Sequence, residues 1–173
     1  MKLWENGIKT KDIILEFTAG KDRILDLRLA KDDLIASLAH VEMLGSVGLL
    51  TDIEVNDLIS TLIEIYVSVE DRGFEIEAGM EDVHSQVELM LTNQLGDIGK
   101  KIHSGRSRND QVLLDLKLFM RAETMETVDL MQQLFDRLIA LSNQYKDVML
   151  PGYTHLQVAM PSSFGLWFGA YAE

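Results

Sequence analysis

Apolar residues return every three or four positions along most of the chain, and the breaks in that rhythm mark out its elements. Between Asp22 and Leu44, Leu27, Ala30, Leu34, Leu38 and Val41 share one face, while Arg28, Lys31, Asp32 and Glu42 fall largely elsewhere, which predicts an amphipathic helix. Gly45 and Gly48 stop it. Thr51-Asp-Ile-Glu54 is a capping box that opens a second helix, with Val55, Leu58, Leu62, Tyr66 and Val69 along its stripe. The short connection makes the two an antiparallel pair. Arg72 to Met80 holds two glycines and no sustained period, so a loop is expected, with a short extended piece at Phe74 to Glu77. Asp82 caps a helix carrying Val83, Val87, Met90 and Leu91 that ends near Leu95-Gly96. Ahead of all this, residues 1 to 20 read as an arm with one or two helical turns around Ile13, Ile14, Leu15 and Phe17.

The pattern then changes scale. No proline or glycine occurs from Asp110 to about Lys146, and Met131, Leu134, Leu138, Leu141, Tyr145 and Val148 repeat at heptad-like spacing, so one helix from about Asn109 to about Lys146 is expected. It far exceeds the average of about 11 to 12 residues and needs a bundle or a partner chain to cover it. Upstream on that seam, Glu123 and Thr127 take core spacing after Leu113, Leu116 and Met120. They fit a neighbouring helix that supplies partners, a wet cavity, or a slight drift of the stripe. Pro151-Gly152 breaks the helix, a short connection runs through Gln157 to Met160, and Pro161-Ser162-Ser163 starts a last helix from Phe164 to Glu173. Phe164, Trp167, Phe168 and Tyr171 put aromatic rings on more than one of its faces. It has no C-cap and its apolar surface lacks cover, so the chain reads as cut from a longer one. The expected class is all-α: an N-terminal helical domain over 1–105, then the first part of a central helical bundle over 106–173.

Composition narrows function more than fold. A net charge of −12 and a pI near 4.7 argue against nucleic acid, whose phosphates need excess lysine and arginine on one face. The absence of cysteine excludes disulfides and thiolate metal sites and fits a reducing compartment, with the cytoplasm as the default. The start Met1-Lys-Leu-Trp-Glu-Asn-Gly has no apolar signal core, and no apolar run approaches the roughly 20 residues that span a bilayer.

Candidate chemistry concentrates in Gly96-Asp-Ile-Gly-Lys-Lys-Ile-His103-Ser-Gly-Arg106-Ser-Arg108-Asn109-Asp-Gln111, just ahead of the long helix. Glycines let the backbone approach a ligand, arginines offer planar forks for carboxylate or phosphate, and a helix N-terminus adds free N–H groups. Ser107-x-x-Asp110 matches a capping box and sets the start of that helix. A second polar cluster, Gly152-Tyr-Thr154-His155-Leu-Gln157, follows its far end. Among the four histidines, His40 reads as a packing or surface residue of the first helix, His84 and His103 flank the glycine-rich stretch, and His155 stands in a break where it is free to face a ligand. No His-x-x-x-His or other local metal spacing occurs, and Gly96-x-x-Gly99-Lys100-Lys101 lacks the preceding strand and following hydroxyl of a phosphate loop, so neither zinc nor any other cofactor is called for. The remaining inventory suits proton abstraction next to a carboxylate, where fixed positive charge and oriented donors hold the developing negative charge.

These stretches resemble the argininosuccinate lyases, a family of the fumarase and aspartase superfamily. The resemblance rests on Gly-Lys-Lys-Ile-His103-Ser-Gly-Arg106-Ser-Arg108-Asn109-Asp-Gln-Val followed by Pro151-Gly-Tyr-Thr154-His155-Leu-Gln157, with Glu81-Asp82-Val-His84-Ser, Lys2-Leu-Trp4 and Gly48-Leu-Leu-Thr51 in support. It implies anti elimination of argininosuccinate to arginine and fumarate, in arginine biosynthesis, by a homotetramer whose sites draw on three subunits. It also implies that Ser107, Arg108 and Asn109 bind substrate carboxylate and amino-acid groups, that Thr154 binds the succinyl part, and that His155 is the catalytic histidine, as base or as acid or relay. Asp82 and His84 become the supporting acid and histidine. The chain departs from the family pattern at Trp4-Glu5-Asn6-Gly7-Ile8 and at Phe17-Thr18-Ala19-Gly20. It also lacks the family's Gly-Ser-Ser-x-Met-Pro-x-Lys loop with the catalytic serine, so this stretch alone is expected to be inactive. The alternatives are another fumarate-releasing lyase of the superfamily, or a non-catalytic helical structural protein on the same fold.

Overall fold

A computed structural model of the chain describes Phe17, residues 20–77 and residues 79–173. The expected N-terminal arm therefore lies outside the described residues, apart from Phe17 and Gly20. Two compact units, Met1–Met120 and Arg121–Glu173, divide the chain.

In the first unit, the helix expected from Asp22 is interrupted. A short α1 (Asp22–Asp26) passes through a 3-10 turn at Leu27–Leu29 into α2 (Ala30–Ser46). Two anchors hold the tightened turn: Leu29 at its end is buried, and just ahead of it the Asp26 carboxylate accepts the Val83 backbone N–H at 2.7 Å. The capping box forms at the start of α3 (Asp52–Arg72), with Thr51 and Glu54 exchanging bonds to each other's backbone N–H. Lys31 near the start of α2 pairs with Glu70 near the end of α3, so the two helices run antiparallel as expected. Their stripes meet in a core that includes Leu34, Val41, Leu44, Leu58, Leu62 and Ile65. Past an irregular stretch from Gly73, α4 (Val83–Leu95) adds Val83, Val87 and Leu91 to that core. Asp82 caps it through a bond from the Ser85 N–H to Oδ1 at 2.8 Å.

A single-turn helix α5 (Asp97–Lys100) and a 3-10 turn at Lys101–His103 carry the chain back along α4. A Cβ on Gly99 would sit 2.5 Å from the Leu91 carbonyl carbon, so only glycine lets these backbones come so close. The long helix α6 (Arg108–Gln144) then begins within a residue of its expected start and ends two residues short of its expected end. Ser107 and Asp110 form the reciprocal cap, with bonds of 2.9 and 3.4 Å.

The second unit holds the rest of α6, two strands and α7 (Phe164–Ala172). In place of an irregular connection, β1 (Met149–Thr154) pairs antiparallel with β2 (Gln157–Ser163), from Met149 opposite Ser163 to Thr154 opposite Gln157, with an irregularity at Gly152/Tyr153. This small sheet leaves the protein mostly helical. Its two-residue turn is His155-Leu156, both with positive φ (48° and 63°), a geometry that glycine and asparagine usually supply. That absence of a turn signal is why the sequence pattern concealed the hairpin. Ser163 caps α7 by accepting the Leu166 N–H, and the Ser142 hydroxyl donates to the Gly165 carbonyl at 2.7 Å, tying α7 to α6. Trp167 makes edge contacts with Phe168 and Tyr171. Most of the apolar face of α6 in this unit, including Val128, Met131, Leu134 and Phe135, is exposed.

Candidate active site

The segment from His103 to Gln111 is tied down at nearly every second residue, and the ties run to two helices. On the α4 side, His103 Nε2 lies 3.2 Å from Glu88 Oε2, and Arg108 reaches the helix start. The Arg108 guanidinium lies 2.8 Å from Asp82 Oδ2 and 3.5 Å from Glu81 Oε2, and it donates to Ser85 Oγ at 3.2 Å. Asp82 thus serves with both oxygens: Oδ1 caps α4 and Oδ2 fixes Arg108. On the α2 side, His40 Nε2–H donates to the Ser104 carbonyl at 2.9 Å, Arg106 donates to Ser37 Oγ at 3.1 Å, and the Gln111 amide donates to Asp33 Oδ1 at 2.6 Å. Gly105 supplies the left-handed φ of 71° that turns the chain between these holds. Lys101 pairs with Glu54 at the start of α3, and that contact and the Thr51 cap hold the Glu54 carboxyl down at about 2.

The two arginines expected to offer forks to a ligand therefore part company. Arg106 turns inward, toward Ser37 and the charges of Asp33 and Asp115, and burial lowers its pKa. Arg108 stays partly exposed at the mouth of the segment, with Ser107 and Asn109 exposed beside it at the N-terminus of α6. An anion arriving there would meet a guanidinium already shared with Glu81 and Asp82 and would have to compete for it.

His84 lies behind this surface. It is 1% exposed, its Nδ1 donates to Asp33 Oδ1 at 2.7 Å, and Asp115 Oδ2 is 3.8 Å from the same nitrogen. Burial alone would strip its charge, but the bond to Asp33 and the nearby carboxylates outweigh this and raise its pKa above the ordinary histidine value. Asp115, completely buried and facing Asp33, is pushed up to about 7 by burial and by that neighbouring charge. Asp33, His84 and Asp115 bring ligand atoms within 4.8 Å of one another. No local spacing announces this trio, since Asp33 and His84 are 51 residues apart. The half-buried Arg106 offsets part of the charge of the two carboxylates, and the Gln111 amide donates to Asp33, while both oxygens of Asp115 are buried without a hydrogen-bond partner.

The remaining predicted residues belong to the second unit. Thr154 closes β1, and His155 occupies the first position of the strained turn, both exposed. The sequence reading brought forward Ser107, Arg108, Asn109, Asp82 and His84, and the fold gathers all five around the starts of α4 and α6. Asp33, Ser37 and Asp115 carry no such motif in the sequence, and His40 reads there as a packing or surface residue. The available signal was a run of polar residues at helical spacing, Asp33, Ser37 and His40, along a helix otherwise packed through its apolar stripe.

The lyase family profile matches residues 8–173. The chain is 66% identical over 99% of its length to the argininosuccinate lyase of Parabacteroides distasonis, and 63% identical over 99% to that of Phocaeicola vulgatus. It spans about 39% of the length of each of these curated relatives. A solved EDDS lyase variant with bound fumarate shares the fold at a TM-score of 0.69 and 23% identity, over 96% of this chain and 33% of that one. With the capped Ser107–Asn109 corner in place and the profile covering nearly every residue, the chain belongs to the lyase family.

Proposed function

We propose that this chain is the N-terminal part of an enzyme that splits argininosuccinate into arginine and fumarate, and that its Ser107–Asn109 corner binds substrate carboxylate. The observation that carries this reading is the 62 to 66% identity, across at least 99% of the chain, to proteins named argininosuccinate lyase. In the proposed reaction a base removes the proton beside a carboxylate, the C–N bond breaks on the opposite side, and the guanidino nitrogen of the departing arginine takes up a proton. Arg108, Asn109, Ser107 and the first N–H groups of α6 hold the carboxylate as negative charge builds on the adjacent carbon. Thr154 orients the succinyl part, and His155 carries a proton as base, acid or relay. Asp82 positions Arg108 directly, while His84, buried against Asp33, acts through its neighbours.

The same reading assigns residues 1–105 to an N-terminal helical domain and 106–173 to the first part of a central bundle. The exposed apolar face of α6 supports its being covered in a homotetramer by other copies. Among the described residues no helix is long and apolar enough to cross a membrane, and the proposed compartment is the cytoplasm. The deciding experiment follows fumarate release from argininosuccinate by this chain and by a protein of the relatives' full length. The long protein should turn over and lose activity with His155→Asn or Arg108→Lys, the latter because a lysine keeps the charge but not the fork. The chain alone should stay silent. Full activity in long Arg108→Lys protein would remove Arg108 from the site.

A further inference from the structure

Asp33, Ser37 and His40 follow one another on α2 at i, i+4 and i+7, so they form a single stripe along one face of the helix. Each is bonded to a different point of the Ser104–Gln111 segment: His40 to the Ser104 carbonyl, Ser37 to the Arg106 guanidinium, Asp33 to the Gln111 amide. Asp33 and Ser37 are completely buried, a costly place for polar groups unless they are paired. We propose that this stripe is a positioning device, which sets the backbone path of Ser104–Asn109 and thereby aims Arg108 and Asn109, with Arg106 as the pin driven into it.

The geometry fits that role. Arg106 stands two residues before Arg108, and its half-buried guanidinium, bonded to Ser37 Oγ, fixes the turn that Gly105 makes possible. Asp33 accepts from two directions, so one carboxylate locks the first turn of α6 through Gln111 and α4 through His84. Asp115 stands one turn beyond Gln111 on α6 with its Oδ2 3.8 Å from His84 Nδ1, and Arg106 offsets part of the negative charge that the two carboxylates bring together. A stripe serving the core alone would be apolar here, as Leu34 and Val41 are on the same helix.

Backbone hydrogen exchange tests the proposal, using the whole chain and the variants Ser37→Ala, Ser37→Thr and Arg106→Lys. Ser37→Ala and Arg106→Lys should each speed exchange across residues 104–109 by about tenfold and leave α3 unchanged, since only the hold on the segment is lost. Ser37→Thr, which keeps the hydroxyl, should restore slow exchange. Unchanged exchange at 104–109 in both folded variants would overturn the proposal. So would an equal acceleration throughout the first unit, which would reduce the stripe to ordinary packing. Zinc titration supplies a further check: slower exchange around Asp33, His84 and Asp115 with added metal, lost in Asp115→Asn, would make the cluster a metal site and overturn the positioning role. The link to substrate rests on the function proposed above. In the relatives' full-length form, Ser37→Ala should raise KM for argininosuccinate several-fold more than it lowers kcat. A loosened segment with unchanged KM would uphold the stripe and count against Arg108 as the carboxylate clamp.

Discussion

The two places that carry the candidate chemistry are built on opposite principles. Around Arg108 the first unit uses local caps and long-range bonds together, so that hardly a residue between His103 and Gln111 is left to choose its own conformation. Around His155 the second unit offers a narrow ribbon with an exposed tip, and two residues hold left-handed conformations with no glycine to ease them. Arg108 is preorganised by its own unit. His155 stands at the exposed tip of that ribbon.

The widest gap between the units should appear on truncating apolar side chains. Leu62→Ala, at a position with no exposure, should cost about 2 to 5 kcal/mol in urea unfolding of the chain. Leu134→Ala, at a position 61% exposed, should cost less than about 0.5 kcal/mol. Equal losses would mean that the face of α6 is covered within this chain after all.

A smaller effect, confined to the first unit, follows from Asp115. Its folded carboxyl is raised from 3.8 to about 7, so between those values the folded state keeps a proton that the unfolded state releases. Its contribution to stability is complete below about pH 4 and is lost as pH rises through about 7. His84, also raised, acts in the same direction, whereas His40 and His103, lowered mainly by burial, lose stability as pH falls. Asp115→Asn should flatten the decline between pH 4 and 7 by on the order of 4 kcal/mol. A denaturation series with an unchanged slope would show that the cluster does not hold this proton.

The smallest effect belongs to the hairpin. Leu156→Gly should relieve the positive φ and stabilise the second unit by up to about 1 kcal/mol, read as a higher melting temperature, because glycine pays less for that conformation. A lower melting temperature would show that the turn is not strained.

What could be foreseen from the residues divides along the same physical line. The boxes at Thr51/Glu54 and Ser107/Asp110, the cap at Asp82 and the uninterrupted α6 were legible because each depends on neighbours within a turn or on the absence of breakers. The 3-10 turn at Leu27–Leu29 was hidden by an apolar rhythm that continues through it. The hairpin was hidden by its His155-Leu156 turn. The bonds of Asp33, Ser37 and His40 span 51 to 78 residues, and no local pattern states which partner a buried polar group will meet.

Those spans also set an order of events during synthesis. Asp33 leaves the ribosome 78 residues ahead of Gln111, an interval of roughly 4 to 16 s at ordinary elongation rates. Before the Ser104–Gln111 segment emerges, α2 and α3 have enough apolar surface to pair, yet one face of α2 carries a hydroxyl and an imidazole whose partners have not been made, and a carboxylate with at most His84 to accept from. A wholly apolar face would be a site for premature collapse or for association between nascent chains, whereas this one stays hydrated until the segment that belongs on it arrives.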